Sequence, residues 1–156
     1  MIIEKRKGTK KMPTIYFDMD GTIADFYSVE DWLDKLNASD PSVYVDAMPM
    51  LRFCTFARML NKLQRKGYKI GIVSWLSRGG SASYNEAATA AKIDWLNHHL
   101  PSVNFDEIKI VPWGIPKASV VNDPSGILFD DEENNRINWR GTAFGADNIM
   151  EVLKGL

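Results

Sequence analysis

Residues 14–22 read Thr-Ile-Tyr-Phe-Asp-Met-Asp-Gly-Thr. The first four are apolar, aromatic or β-branched, the composition of a short strand buried on both faces. Two carboxylates, Asp18 and Asp20, follow at once. An acidic pair directly after a buried strand is a poor choice for a merely solvated turn, so it marks a candidate site. Gly21 permits a sharp turn there and frees backbone N–H groups to meet an anion.

Further strands are expected at 68–73 (YKIGIV, ending at Ser74), 108–111 (IKIV), 127–129 (ILF, ending at Asp130-Asp131) and, briefly, 142–144 (TAF). Between them lie helical patterns. Ser28-Val-Glu-Asp31 has the form of a capping box ahead of Trp32, Leu33 and Leu36. Phe53, Phe56, Ala57, Leu60 and Leu63 recur at helical spacing, and Gly67 suits the stop. An Ala-rich stretch, 84–100, carries Ala88, Ala91, Trp95 and Leu96 on one face before Pro101. A last helix begins near Asp147. Strands alternating with helices predict an α/β fold, a Rossmann-like three-layer parallel sheet, with a short helical insertion at about 25–49. Functional groups of such sheets gather at the carboxyl ends of the strands, so Asp18, Ser74 and Asp130 are expected to meet in one crevice.

Composition narrows the function. The chain has 156 residues, 45% hydrophobic and 25% charged, which excludes global disorder and suits one domain at 12–156. A net charge of −1 gives no global pull toward nucleic acid or an anionic membrane. Residues 1–11, with EKRKGTKK at 4–11, read as a basic flexible tail or as extra residues ahead of a start at Met12. One cysteine, Cys54, excludes an internal disulfide and a thiolate-rich metal site. No apolar run approaches the roughly 20 residues of a membrane span, and the N-terminus lacks a signal-peptide core, so a cytoplasmic location is expected.

Four carboxylates in one crevice repel each other, and a divalent cation relieves that. Hard oxygen donors favour Mg2+ over zinc, with a substrate phosphate as a further ligand. Ser74 offers a hydroxyl and Lys117 a fixed cation. Together these are parts for phosphoryl transfer: metal, donors, cation and carboxylate nucleophile.

DMDGT after an apolar strand, IVS closing the second, Lys117 ahead of the fourth and ILFDD closing it resemble the four ordered motifs of the haloacid-dehalogenase-like (HAD) phosphohydrolases. The likeness runs from Ile15 to Asp131. DMDGTIADF, and KIDWL at 92–96, are similar to the 5′(3′)-deoxyribonucleotidases and their phage and bacterial relatives. Unlike that group, this chain has only about 25 residues where the helical cap would lie, and WLSRGGS differs from the usual loop after the second motif. The resemblance implies a Mg2+-dependent phosphomonoester hydrolase, a HAD-type phosphatase, with nucleoside monophosphates as substrate class. Asp18 is then the nucleophile that forms an aspartyl-phosphate, and Asp20 the general acid and base. Mg2+ is held by Asp18, the Asp20 carbonyl, and Asp131 with Asp130. Ser74, Lys117 and backbone N–H groups near Met19, Asp20 and Trp75 hold the phosphoryl oxygens, and Thr22 supports the turn. The competing readings are a phosphatase of larger substrates, such as phosphorylated nucleic-acid ends, and a non-catalytic module for Mg2+ and phosphate. A receiver-type signalling domain also combines acids, Ser or Thr and Lys, but in the opposite order.

Other residues weigh less. Phe26, Tyr27, Trp32 and Tyr44 either stack on a base or pin the insertion to the core. Arg78, beside Gly79-Gly80, either binds a second anionic or sugar group or is an incidental loop residue. His98 and His99 suit a helix C-terminus, Cys54 reads as core, and Glu132 and Glu133 as solvated. The expected partner is a small phosphorylated metabolite; oligomeric state is not legible.

Overall fold

The computed structural model describes residues 11–156; apart from Lys11, the basic stretch read as a tail lies outside them. Five parallel strands form the sheet: β1 (Thr14–Phe17), β4 (Lys69–Trp75), β5 (Glu107–Val111), β6 (Ile127–Phe129) and β7 (Thr142–Phe144). Two more strands, β2 (Ala24–Asp25) and β3 (Met48–Pro49), pair antiparallel outside it. Six α-helices, α1 (Trp32–Asn37), α2 (Ser42–Asp46), α3 (Phe53–Arg65), α4 (Ala82–His99), α5 (Glu133–Ile137) and α6 (Ile149–Lys154), and three 3-10 turns complete the described elements. The order across the sheet is β5-β4-β1-β6-β7. The chain therefore winds outward from β1 one way through β4 and β5, then returns and winds the other way through β6 and β7. That reversal makes β1 the switch point of a Rossmann-like α/β fold, where a crevice opens above the strand ends.

Side-chain alternation along β1 divides the core. Ile15 and Phe17 face α3, α4 and α6, and Phe17 stacks on Phe129 at 5.1 Å and meets Phe56 edge-on at 5.2 Å. Tyr16 faces the other way, among Val73, Val121, Leu128 and Trp139. This second layer comes mainly from loop segments and is thinner than helices on both faces would give. Tyr16 pairs in register with Gly71, and a Cβ on Gly71 would lie 2.7 Å from the Tyr16 ring. A glycine inside this strand is thus required by close approach. No helix of the described residues is long and apolar enough to cross a membrane.

Several expectations are corrected. Ser28 caps nothing: Phe26–Ser28 is a 3-10 turn, and Asp31 adopts φ 58° before α1 begins at Trp32. The helix is displaced because a left-handed residue interrupts the run from Ser28. Cys54 is exposed, on the outer side of α3 opposite Phe56 and Leu60. β4 runs two residues further than expected, so Ser74 lies inside the strand. α2, α5 and the β2–β3 ribbon were not expected.

The buried Tyr16 hydroxyl donates to Glu107 Oε2 (2.6 Å) and accepts from the Asp123 N–H (3.0 Å). Asp123 in turn accepts from Thr14 N–H, and Glu107 from Asn122 N–H. This network ties the segment between Lys117 and β6 to the sheet. Burial and the adjacent Glu107 carboxylate push the phenol pKa up. Tyr16→Phe keeps the ring and deletes these bonds, and is expected to cost ~1–3 kcal/mol in urea unfolding. An unchanged unfolding midpoint would show that the network does not hold the fold.

Candidate active site

The site is built on the last hydrogen bonds of the sheet. Asp18 N–H donates to Phe129 carbonyl (2.9 Å), and Asp130 N–H to Phe144 carbonyl (3.0 Å). Each carries the ladder one residue past its strand and fixes an aspartate at the strand tip. The loop after Asp18 closes on Met19, whose carbonyl accepts from the N–H groups of Thr22, Ile23 and Ala24. The Met19 side chain is in the core. Gly21 has φ 81°, and a Cβ there would fall 2.4 Å from Asp131 Oδ2. No other residue both adopts that turn easily and leaves room for the carboxylate.

Lys117 joins the two tips. Its ammonium donates to Asp18 Oδ1 (3.0 Å) and Asp130 Oδ2 (2.6 Å), and it is buried. Burial disfavours its charge, but the two carboxylates outweigh that and hold its pKa above the ordinary lysine value. Asp130 is fully buried and also accepts from Asn135 Nδ2 and Glu132 N–H. Thr22 Oγ1 donates toward Asp18 Oδ2 (3.2 Å) and Asp131 Oδ1 (3.3 Å) and accepts from Asp131 N–H (3.1 Å), so it bridges the first and last motifs.

Lys92 stands in the KIDWL stretch, but no role in the site was assigned to it from the sequence. It is 1% exposed, and its ammonium donates to Asp20 Oδ2, Ser74 Oγ and Trp75 carbonyl, each at 2.8 Å. It also lies 5.0 Å from the Tyr44 ring centroid. An ammonium has no acceptor capacity, so Ser74 must accept here and keeps its own proton. Burial raises the Asp20 pKa most; Lys92 pulls it back and Asp18 adds repulsion, and the net direction is up. The available signal was position: Lys92 sits on the stripe of Ala88, Ala91, Trp95 and Leu96, where a solvated lysine has no reason to be.

A cavity of about 280 Å³ opens above these groups. Asp18, Asp20, Asp131, Lys117, Trp75, Phe26, Trp32, Tyr44 and Arg78 line it, so these sequence-selected residues do come together. Ser74, Met19 and Asp130 stand behind its wall. Tyr44 and Phe26 are buried and pack on each other at 5.3 Å, whereas Tyr27 is exposed and Trp32 half-buried. The insertion aromatics thus divide their duties: the first two anchor it and the latter two present surface to the cavity. The Trp75 indole N–H donates to Ile115 carbonyl (2.8 Å). Leu76 N–H points to Val111 on β5, so by strand alternation the Trp75 N–H points toward the side of β1, above its end. His98 and His99 occupy the last turn of α4. Glu132 and Glu133 are exposed, Glu132 at the cavity rim.

One carboxylate oxygen from each of Asp18, Asp130 and Asp131 lies within 4.8 Å of the others, a spacing that fits a divalent cation. Among the described residues Asp130 is engaged by three donors and the Asp131 carboxylate by Thr22, so Asp131 would be the freer ligand beside Asp18. The Asp20 carboxylate is turned to Lys92, outside this cluster. Burial, then repulsion from Asp18 and Asp130, pushes the Asp131 carboxyl up to about 8.

No family model matches the chain, and no curated protein matches it. Among solved structures it is similar to the HAD domain of the effector protein Lem4 from Legionella pneumophila, at 16% identity and a TM-score of 0.37, over 86% of this chain and 84% of that one.

In the cation-free protein, the folded state keeps a proton on Asp131 that the unfolded chain releases above its ordinary 3.8, so this group's contribution to stability falls as pH rises from there to about 8. A cation held there would replace that proton. Millimolar Mg2+ is therefore expected to raise Tm more at pH 8 than at pH 5 in calorimetry. An equal shift at both values, or none, would contradict the assignment.

Proposed function

We propose that this chain is a Mg2+-dependent phosphomonoester hydrolase working through an aspartyl-phosphate on Asp18, with nucleoside monophosphates as substrate class. The observation that carries this reading is the placement of Asp18. It stands at the tip of β1, faces an open cavity, is held by Lys117 and crowds Asp131. A structural aspartate would have its charge balanced inside the protein; this cluster is left short of positive charge on the cavity side. The ordered motifs around Asp18, Ser74, Lys117 and Asp130-Asp131 support the same chemistry.

A carboxylate oxygen of Asp18 attacks phosphorus, and the bond from phosphorus to the leaving oxygen breaks. Asp20 supplies the proton that oxygen needs. Burial moves its pKa upward, the direction a general acid needs, and Lys92 fixes the carboxyl in place. Asp20, now ionised, takes a proton from water as that water attacks the phosphoryl group. Inorganic phosphate leaves and Asp18 is restored. Lys117 balances charge on the nucleophile throughout, and the Trp75 N–H offers a donor to a phosphoryl oxygen. Ser74 acts through Lys92 in place of the direct phosphate contact expected from the sequence. Mg2+ on Asp18 and Asp131, with the Asp20 carbonyl, would supply neutralisation of the developing phosphoryl charge. Tyr27 and Trp32 give the leaving group an aromatic surface, which favours a nucleoside over a sugar.

The test is phosphate release from a panel of 5′- and 3′-nucleotides, sugar phosphates and phosphorylated oligonucleotides, with and without Mg2+. Asp18→Asn is expected to abolish turnover, and Asp20→Asn to lower kcat by ~10²–10⁴-fold. Release that survives Asp18→Asn would exclude the aspartyl-phosphate route. Mg2+ binding without release of phosphate from any compound would favour a non-catalytic module.

A further inference from the structure

The cavity has a second end, built differently from the first. There the Arg78 guanidinium lies over the Trp113 ring, 4.9 Å from its centroid, and Trp113 packs against Trp75 at 5.6 Å. A second cavity of about 340 Å³ adjoins, and the two share Ser77, Arg78 and Trp113 as lining. Arg78 thus forms the threshold between them.

The cations around the main cavity are in unequal states. Lys117 is spent on Asp18 and Asp130, and Lys92 on Asp20. Among the described residues Arg78 has no ion pair, and the Trp113 ring is the one aromatic face it covers. A guanidinium whose carbon sits over an indole and that has no ion pair keeps N–H donors available for a phosphate oxygen pair. The stack also restrains its long side chain, which lowers the entropy lost on binding. Trp113 is 48% exposed, a large aromatic surface left uncovered beside that fork. Aromatic platform and free cation side by side are the elements that grip a nucleotide chain.

Resting on the phosphomonoesterase reading, we infer that the natural substrate carries a second anionic phosphate, and that Arg78 on Trp113 is the specificity-determining residue that holds it. The phosphomonoester sits at Asp18, the nucleoside spans the aromatic walls, and the second phosphate lies at the threshold. Two sources share this chemistry: a nucleoside bisphosphate, and the terminal nucleotide of a strand, whose second phosphate is a diester.

Three ligands separate them: a nucleoside 5′-monophosphate, the matching 3′,5′-bisphosphate, and a 5′-phosphorylated dinucleotide. For the unmodified protein, kcat/KM is expected to be ~10-fold or more higher for at least one of the two substrates with a second phosphate than for the monophosphate. The preferred one names the source. In Arg78→Gln that ratio falls toward one, and Arg78→Lys restores part of it. Affinities of the same ligands for Asp18→Asn protein, by titration calorimetry, read the inference without turnover. If these show the Arg78-dependent preference while no ligand is hydrolysed, the second-phosphate site stands and the hydrolase reading fails. Hydrolysis of all three with one kcat/KM and one affinity, or an equal loss on all three in Arg78→Gln, overturns the inference and leaves the hydrolase reading in place.

Discussion

Charge imbalance at one strand tip governs the rest of this molecule. Asp18, Asp20, Asp130 and Asp131 meet there, and Lys92 and Lys117 are the buried cations that answer them. Two ammonium groups against four carboxylates leave a deficit of two positive charges. A divalent cation would close that deficit. Removing Lys117 would leave the buried Asp18 and Asp130 unanswered, and removing Lys92 the half-buried Asp20, which costs more than the pairs themselves contribute. Neither lysine is therefore free to serve as an ordinary surface residue. The fold must deliver both ammonium groups to within hydrogen-bond distance of the acids.

The sheet does this by topology. Because the winding reverses at β1, its tip is not covered by a crossover on either side, and a cavity forms where Asp18 emerges. β6 delivers Asp130 and Asp131 beside it, and β4 delivers Ser74 and Trp75. The two lysines arrive from further along the chain, Lys92 on α4 and Lys117 in the 3-10 turn of Lys117–Ser119. The network of Tyr16, Glu107 and Asp123 lies on the opposite face and holds the latter segment down. Packing on one side of the sheet thereby sets an ion pair at its end.

The strands were legible because each is a short apolar run, and the acidic tips because Asp follows β1 and β6 at once. Lys117 was legible only through the order of motifs, since nothing in its own neighbourhood marks it. Lys92 was missed because Ala-rich helices commonly carry lysines in solvent, and only tertiary packing turns this one inward. The β2–β3 ribbon is two residues per strand, too short for any periodicity to register. α5 was missed because Glu133-Asn-Asn-Arg has no apolar stripe; it is held by hydrogen bonds from Asn135 and Arg136 to Asp130. Cys54 was misread because a cysteine beside Phe53 looks apolar in sequence, yet the helix turns it outward.

Arrangement of the site follows from the same electrostatics: acids and their lysines at the base, aromatic rings from the insertion and from Trp75 as walls, Arg78 at the far edge. On the proposed function a divalent cation would sit between Asp18 and Asp131. Anomalous diffraction from crystals grown with Mn2+ as a stand-in for Mg2+ reads this directly. One strong peak is expected within coordination distance of both carboxylates, lost in Asp131→Asn. A peak at another site, or none at millimolar Mn2+, would contradict it.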